Sequence, residues 1–163
     1  MTPLTAPPQV TCLPTPSPEM VRAARAYLTT LHAVGVDGHV WEFMQHPLPD
    51  LDAIDAVISA SEKAQQGSGE QPRLVEVAAA LVVLGAARLD IDQTEARLLD
   101  AAQASAVGWE QIAAILHLSV EEAEERYRQL KPRLGEPVAP TRPERPYGRP
   151  THRPRAAART GDR

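Results

Sequence analysis

The sequence predicts an all-α fold, and two observations support this prediction. Hydrophobic residues make up 43% of the 163 residues, but aromatic residues only 4%. The core is therefore expected to be aliphatic, a composition that suits helices better than sheets. In addition, apolar residues recur at helical spacing in several separate segments. The predicted architecture is an N-terminal helical unit followed by a three-helix unit, flanked by disordered ends.

The first helix is predicted to begin at Ser17 and Pro18. Residues 1–16 contain five prolines and are expected to be disordered. Ser17 suits an N-cap, Pro18 the first helical position, and Glu19 the positive end of the helix dipole. The helix should reach about Val34, and its predicted buried face is Val21, Ala24, Leu28 and Leu31.

The rest of the N-terminal unit, 17–66, is less regular. Residues 39–49 fit one helical turn that stops before Pro47. Asp50 is a suitable cap for a further helix to about Gln65, with apolar residues at helical spacing. Those residues are Leu51, Ile54, Val57 and Ile58. Residues 66–72 have the composition of a linker and predict a boundary before the second unit.

The second unit, 73–134, is predicted to open with two helices. The segment 74–87 is apolar on most sides, so it requires several partners, and we expect it to form the seam of a homodimer. Residues 92–95 (Asp-Gln-Thr-Glu) are close to a capping box and predict the start of a separate helix to about 106.

The segment 109–130 has the pattern of a helix-turn-helix. Ile112 and Ala113 provide the apolar and small residues that let two helices pack closely. Leu116 and Leu118 are predicted core anchors beside the turn, and Trp109 should close one edge. In the second helix the residues at inward-facing spacing are Ala123, Tyr127 and Leu130. Together with the preceding helix, these segments predict a trihelical helix-turn-helix.

Four motifs carry a resemblance to a known group. They are Glu95-Ala96-Arg97-Leu98, Gly108-Trp109-Glu110-Gln111-Ile112-Ala113, Leu116-His117-Leu118-Ser119 and Arg126-Tyr127. Over about residues 73–134 the chain resembles actinobacterial helix-turn-helix DNA-binding proteins. This resemblance implies that the second helix of the motif is the recognition helix.

The chain departs from that group at two places. His117 stands where the group has a turn glycine, a position that often needs φ > 0, which His tolerates at a cost. After Ser119 the group commonly carries Arg- and Gln-type base readers, but this chain carries Val120, Glu121 and Glu122. Glutamate could accept a hydrogen bond from cytosine N4, a rarer contact.

Local helix chemistry also explains the glutamates. Ser119 and Glu122 fit a capping box, and acids in the first turn suit the helix dipole. Glu122 with Arg126 and Glu124 with Arg128 are at i, i+4 spacing, which predicts two stabilising ion pairs. A different hypothesis is that the helix has lost base reading and binds a basic protein surface.

Positive charge is concentrated at the C-terminal side of the motif. Residues 1–136 contain 10 Lys and Arg against 19 Asp and Glu, whereas residues 137–163 contain 7 Arg against 2 acids. The tail, 135–163, is predicted to be disordered and extended. Its arginines, and the basic cluster at the end of the recognition helix, could neutralise phosphates. The predicted DNA-contact residues are Ser119, Glu121, Glu122, Arg126, Arg128, Lys131, Arg133, Arg142, Arg145 and Arg149.

Other classes of function have little support in the sequence. Cys12 is the only cysteine, the histidines lack ligand spacing, and no phosphate loop or nucleophile motif occurs. We therefore expect no enzyme activity, no metal site and no cofactor. The longest apolar run, 77–87, is too short to cross a membrane, and no signal peptide is visible. A cytoplasmic location is the expectation.

The sequence thus favours a transcriptional regulator or accessory DNA-binding protein that binds double-stranded DNA through the helix-turn-helix and the basic tail. The alternative is a non-catalytic adaptor whose helix-turn-helix core binds a protein partner. A steep fall of affinity with rising salt would distinguish the first from the second.

Overall fold

A computed structural model describes residues 14–140 of the chain. Six α-helices and one short 3-10 helix make up this part, which contains no strand, so the all-α prediction is confirmed. The helices are α1 (Pro18–His32), α2 (Val36–Met44), α3 (Asp50–Gln65), α4 (Leu74–Ala104), α5 (Trp109–Leu116) and α6 (Val120–Leu130), followed by the 3-10 helix Lys131–Gly135. The predicted disorder of 1–13 and 141–163 lies outside the described residues.

Helix α1 begins as predicted. The Ser17 hydroxyl accepts a hydrogen bond from the Met20 amide at 3.2 Å, and Pro18 is the first helical residue. Val21, Ala24 and Leu28 are buried. The predicted fourth core residue, Leu31, is 42% exposed, and the helix ends one residue later at His32.

Helix α3 has the predicted length but a different start. Its N-cap is Pro49, and Asp50 is the first helical residue. The Asp50 carboxylate accepts two hydrogen bonds from Arg25, at 2.7 Å each, instead of capping the helix. The predicted apolar set also divides between two faces. Val57 is buried with Ala53, whereas Leu51 and Ile58 are exposed.

Helix α4 corrects the prediction of two separate helices at 74–88 and 93–106. It is one helix of 31 residues. The predicted capping segment 92–95 lies inside it, and no proline or glycine interrupts the chain there. Asp92 and Glu95 bind Arg133 and Arg126, so these carboxylates make long-range ion pairs rather than a cap.

The two halves of α4 belong to two different apolar cores. In the first half, Ala79, Ala80 and Val83 pack with residues of α1 and α3. In the second half, Ala96 and Leu99 pack with residues of α5 and α6. Residues 66–72 connect α3 to α4, as the linker composition predicts, but the N-terminal core extends beyond this connection into α4.

Residues at both ends of the described chain pack on the helices, which corrects the predicted disorder at 14–16 and 135–140. The Thr15 hydroxyl bonds to Glu136, and Pro16 lies against the backbone of Gly85 in α4. Ala139 is only 3% exposed and packs with residues of α1 and α4. Residues 14–16 and 135–140 therefore belong to the packed part of the protein.

Gln93 fixes the segment after the 3-10 helix to the middle of α4. Its side chain is 2% exposed. Its Nε2 donates hydrogen bonds to the carbonyl oxygens of Arg133 at 2.8 Å and Glu136 at 2.9 Å. The Arg133 carbonyl also accepts from the Glu136 amide at 3.0 Å, so it is the Glu136 carbonyl that depends on the Gln93 side chain for its donor.

We expect Gln93→Leu to lower the free energy of unfolding by about 2 kcal/mol, since the Glu136 carbonyl loses its donor and the Arg133 carbonyl keeps only the Glu136 amide, while the volume is kept. Urea denaturation measures the change. Gln103→Leu, an exposed position on the same helix, is the control and should stay within about 0.5 kcal/mol of the parent. Equal stability of the two variants would contradict the structural role of Gln93.

Candidate nucleic-acid interface

Helices α5 and α6 are joined by a tight turn at residues 117–119. His117 ends α5 in the left-handed conformation, with φ 56° and ψ 39°. The Leu118 amide donates to the Ala113 carbonyl at 2.9 Å and closes the turn. The positive φ expected at His117 is confirmed. It lets the chain reverse within three residues, so α6 starts directly beside the end of α5.

A small apolar core holds α5 and α6 against the second half of α4. Ile112, Ala123 and Leu130 are buried, as the helical spacing predicts. The rings of Trp109 and Tyr127 lie 5.6 Å apart between centroids and close one edge. The prediction that Leu116 is a core anchor is wrong, because this side chain is 38% exposed. Its neighbour Ile115 is 73% exposed.

The predicted capping box at the start of α6 is confirmed. The Ser119 hydroxyl accepts from the Glu122 amide at 3.2 Å, and the Glu122 carboxylate accepts from the Ser119 amide at 2.8 Å. The hydrogen bond from the Ser119 amide lowers the pKa of Glu122 from its usual value. Glu122 is therefore engaged in helix capping, whereas Glu121 is exposed in the first turn.

Replacing Glu122 with Ala should destabilise the fold at pH 7 by an amount that disappears in acid. The folded-state pKa of Glu122 is lowered, so its contribution is present above the unfolded value of about 4.3 and is lost as the pH falls through the folded value. Urea midpoints at pH 7 and pH 3 test this. Glu121→Ala, which leaves the capping pair intact, should change less, and a pH-independent deficit for Glu122→Ala would contradict the capping role.

The arginines of α6 do not form the predicted i, i+4 pairs with Glu122 and Glu124. Arg126 binds Glu95 of α4 through two nitrogens, one of them at 2.6 Å. Arg128 binds Glu125 one turn earlier on the same helix. Because the cap holds Glu122 and because α4 presents Glu95 beside α6, Arg126 makes an interhelical pair instead.

Among the predicted basic contacts after α6, Arg133 and Lys131 differ sharply. Arg133 is 8% exposed, and its guanidinium bonds to Asp92 and to the Thr15 hydroxyl. It therefore holds the chain ends on α4 and is not presented to a ligand, contrary to its predicted phosphate contact. Lys131 is exposed, with its Nζ 5.1 Å from the centroid of the Tyr127 ring. Interaction with Tyr127 raises the pKa of Lys131.

The accessible surface of α6 consequently has opposite charges at its two ends. Glu121 and Glu122 lie at the beginning, and Arg128 and Lys131 lie at or just beyond the end. Arg126 is half-exposed beside Glu95. The other predicted cations, Arg142, Arg145 and Arg149, lie outside the described residues. Among the predicted contact residues that the structure describes, the exposed cations that do not bind α4 therefore lie at the C-terminal end of α6.

Residues 14–140 also contain a cavity of note, away from the helix-turn-helix segment. A cavity of about 300 Å³ lies between α1, α3 and the 69–70 connection, with His32, Ser59 and Lys63 on its wall. None of the predicted DNA-contact residues lines it. Within this part of the chain, no group of three or more His, Cys, Asp or Glu side chains could hold a metal ion. None of the described helices combines the length and apolar character needed to cross a bilayer.

Comparison of the chain with protein-family models, with curated proteins and with solved structures found no match.

Proposed function

We propose that the protein is a DNA-binding transcriptional regulator or accessory DNA-binding protein in which the second half of α4, α5 and α6 form a trihelical helix-turn-helix. The observation that carries this proposal is the α5–α6 connection. A three-residue turn with His117 at positive φ joins two helices over a shared apolar core, and α6 starts from an intact cap. This is the arrangement that lets a second helix enter the major groove.

In this proposal α6 lies in the groove, and its two ends have different roles. Arg128 and Lys131 contact phosphates, which position the protein without reading sequence. The Ser119 hydroxyl accepts the capping bond, so its proton can be donated to a phosphate oxygen. Exposed Glu121 is placed to accept from cytosine N4. The tail arginines Arg142, Arg145 and Arg149 supply further phosphate contacts.

We further propose that the protein acts as a homodimer through the outer face of α4 within 74–87. Inside the chain this segment buries Ala79, Ala80, Val83 and Ala86. Its opposite side presents Leu74, Val77 and Leu81, which are 85%, 38% and 62% exposed. These three residues are spaced at i, i+3 and i+7, so they form one stripe that a second copy can cover.

Polarisation of labelled duplex DNA at about 50 mM salt tests the proposal. Binding is expected, and Arg128→Gln with Lys131→Gln should weaken it. Arg22→Gln with Lys63→Gln is the matched control, because it removes the same charge from exposed residues of α1 and α3. No binding by the parent, or equal weakening by both double variants, would refute a DNA contact at the end of α6.

A second candidate function, a protein-binding adaptor, is favoured by one observation. Ile115 of α5 and Leu98 of α4 are 73% and 65% exposed on the same three-helix unit that presents the acidic start of α6. A surface that combines apolar and acidic side chains suits a basic protein segment. Specific retention of one protein from nuclease-treated lysate, lost in Ile115→Ser, together with failure of DNA binding, would favour this function.

A further inference from the structure

Helix α2 is the least covered element of the fold. None of its nine residues is buried within the part of the chain that the structure describes. Three of them are large apolar residues that point mainly into solvent: Val36, Phe43 and Met44 are 76%, 83% and 67% exposed. Apolar groups concentrated in one exposed element mark an interaction surface. We call this surface, together with the first two turns of α3, the α2–α3 face.

The α2–α3 face is also strongly acidic. From Ala26 to Glu62 the sequence contains six Asp and Glu and no Lys or Arg. Asp50 is neutralised by the buried Arg25. The other acids in α2 and in the first two turns of α3 are exposed: Asp37, Glu42, Asp52 and Asp55. A partner that fits this face must therefore carry positive charge together with groups that cover apolar and aromatic side chains.

The described part of the chain ends beside the start of α3. Arg25 donates through Nη1 to the carbonyl oxygens of Ala139, at 2.8 Å, and Pro140, at 3.4 Å. The same guanidinium binds Asp50, the first residue of α3. Pro140, the last residue that the structure describes, consequently lies near the beginning of α3. The remaining 23 residues can span roughly 70 Å when extended, which is ample to follow α3 and α2.

The chemistry of this tail complements the α2–α3 face. Residues 141–163 contain seven arginines against two acids, with four prolines and one tyrosine. Arginine pairs with carboxylates through two nitrogens and stacks on aromatic rings, so it suits a surface that mixes both. Proline and tyrosine rings can cover Phe43 and Met44.

We propose that residues 141–163 dock on the α2–α3 face of their own chain, with arginines on its carboxylates and rings over Phe43 and Met44. The acidic body thus holds its own basic tail. This docking goes beyond the proposed function and does not depend on it, since no DNA takes part. Where DNA is bound, its phosphates compete with the α2–α3 face for the same arginines.

Zero-length carbodiimide cross-linking of the full chain, in the absence of DNA, tests the docking. Arg142→Lys and Arg149→Lys provide amines in the tail, and the parent chain corrects for the native lysines. We expect links within one chain from positions 142 and 149 to Glu42, Asp52 or Asp55, at least threefold more abundant than links to Glu110 or Glu121. At 1 M salt, where screening acts within about 3 Å, these links should fall severalfold.

A second pair of variants tests the apolar half of the face without removing any cross-linking acceptor. Phe43→Ser with Met44→Ser should reduce the tail links at least threefold, whereas Met20→Ser with Ile91→Ser, an exposed apolar pair on α1 and α4 outside the proposed dimer stripe, should leave them unchanged. Three outcomes would each overturn the proposal: links spread evenly over all exposed acids, links found only between two chains, or links insensitive to the Phe43 and Met44 changes. Each of these outcomes counts against the docking whether or not the protein binds DNA.

Discussion

Replacing Asp50 with Ala is expected to lower the free energy of unfolding by about 3–5 kcal/mol, because it leaves a buried guanidinium without its carboxylate. Arg25 is 3% exposed, and both of its bonds to Asp50 are 2.7 Å long. A domain of this size is commonly stable by only about 5–15 kcal/mol, so the variant should lose much of its stability. Denaturation in urea, followed by circular dichroism, measures the effect.

The control for this variant is a second acid two residues further along α3. Asp52→Ala also removes an acid from the first turn of α3, but its side chain is exposed, so a change of no more than about 0.5 kcal/mol is expected. Arg25→Met combined with Asp50→Leu should recover much of the lost stability, since both charges are then absent. If Asp50→Ala and Asp52→Ala behave alike, the pair does not hold α1, α3 and the 139–140 segment together.

The second large effect is expected from neutralising the tail. If Arg142, Arg145 and Arg149 each contact one phosphate, changing all three to Gln should reduce the slope of log affinity against log salt by about 2.7. At about 100 mM salt the affinity for duplex DNA should fall by roughly two orders of magnitude, since each lost contact removes the release of counterions. A polarisation titration at four salt concentrations gives both quantities.

The matched control removes three charges from the body instead: Arg22, Lys63 and Arg88, all exposed, changed to Gln. This control should keep the parental slope within about 0.5. A parental slope in the tail variant would leave Arg128 and Lys131 as the proposed phosphate contacts and would exclude the tail from DNA binding. The same result would not bear on docking of the tail to the α2–α3 face, which is measured without DNA.

Features that depend on neighbouring residues could be predicted from the sequence. The Ser17 and Ser119 caps, the positive φ of His117 and the inward stripe of α6 are each set by a few adjacent side chains. The all-α architecture follows from the same local information, because helical periodicity repeats along the chain. The cap also explains the acidic start of α6, as the sequence indicated for Glu122.

Features that depend on distant residues could not be predicted. The hydrogen bond between Arg25 and Ala139 joins residues 114 positions apart, and the bond between Gln93 and Glu136 joins residues 43 positions apart. No local sequence pattern predicts either bond. The continuity of α4 has the same origin. The segment at 92–95 resembles a helix start, but long-range pairs with Arg126 and Arg133 occupy its carboxylates inside a helix.

The candidate site shows the same division. The sequence placed a basic cluster after α6, and Arg128 and Lys131 are indeed exposed there. Arg133 belongs to the same run of the sequence, yet the fold buries it against Asp92 and Thr15. Whether a cationic side chain is available to a ligand depends on its contacts with residues distant in sequence. Neither the composition nor a run of charged residues predicts those contacts.

Helix α4 also has a mechanical consequence. Its 31 residues form a rod about 46 Å long, and its two halves contribute to two different apolar cores. In a dimer built on Leu74, Val77 and Leu81, the distance between the two copies of α6 is therefore set by the continuous helix α4 and not by a linker. Such a dimer should bind only half-sites at one fixed spacing. Inserting a few base pairs between the half-sites would prevent the two copies of α6 from engaging DNA at the same time.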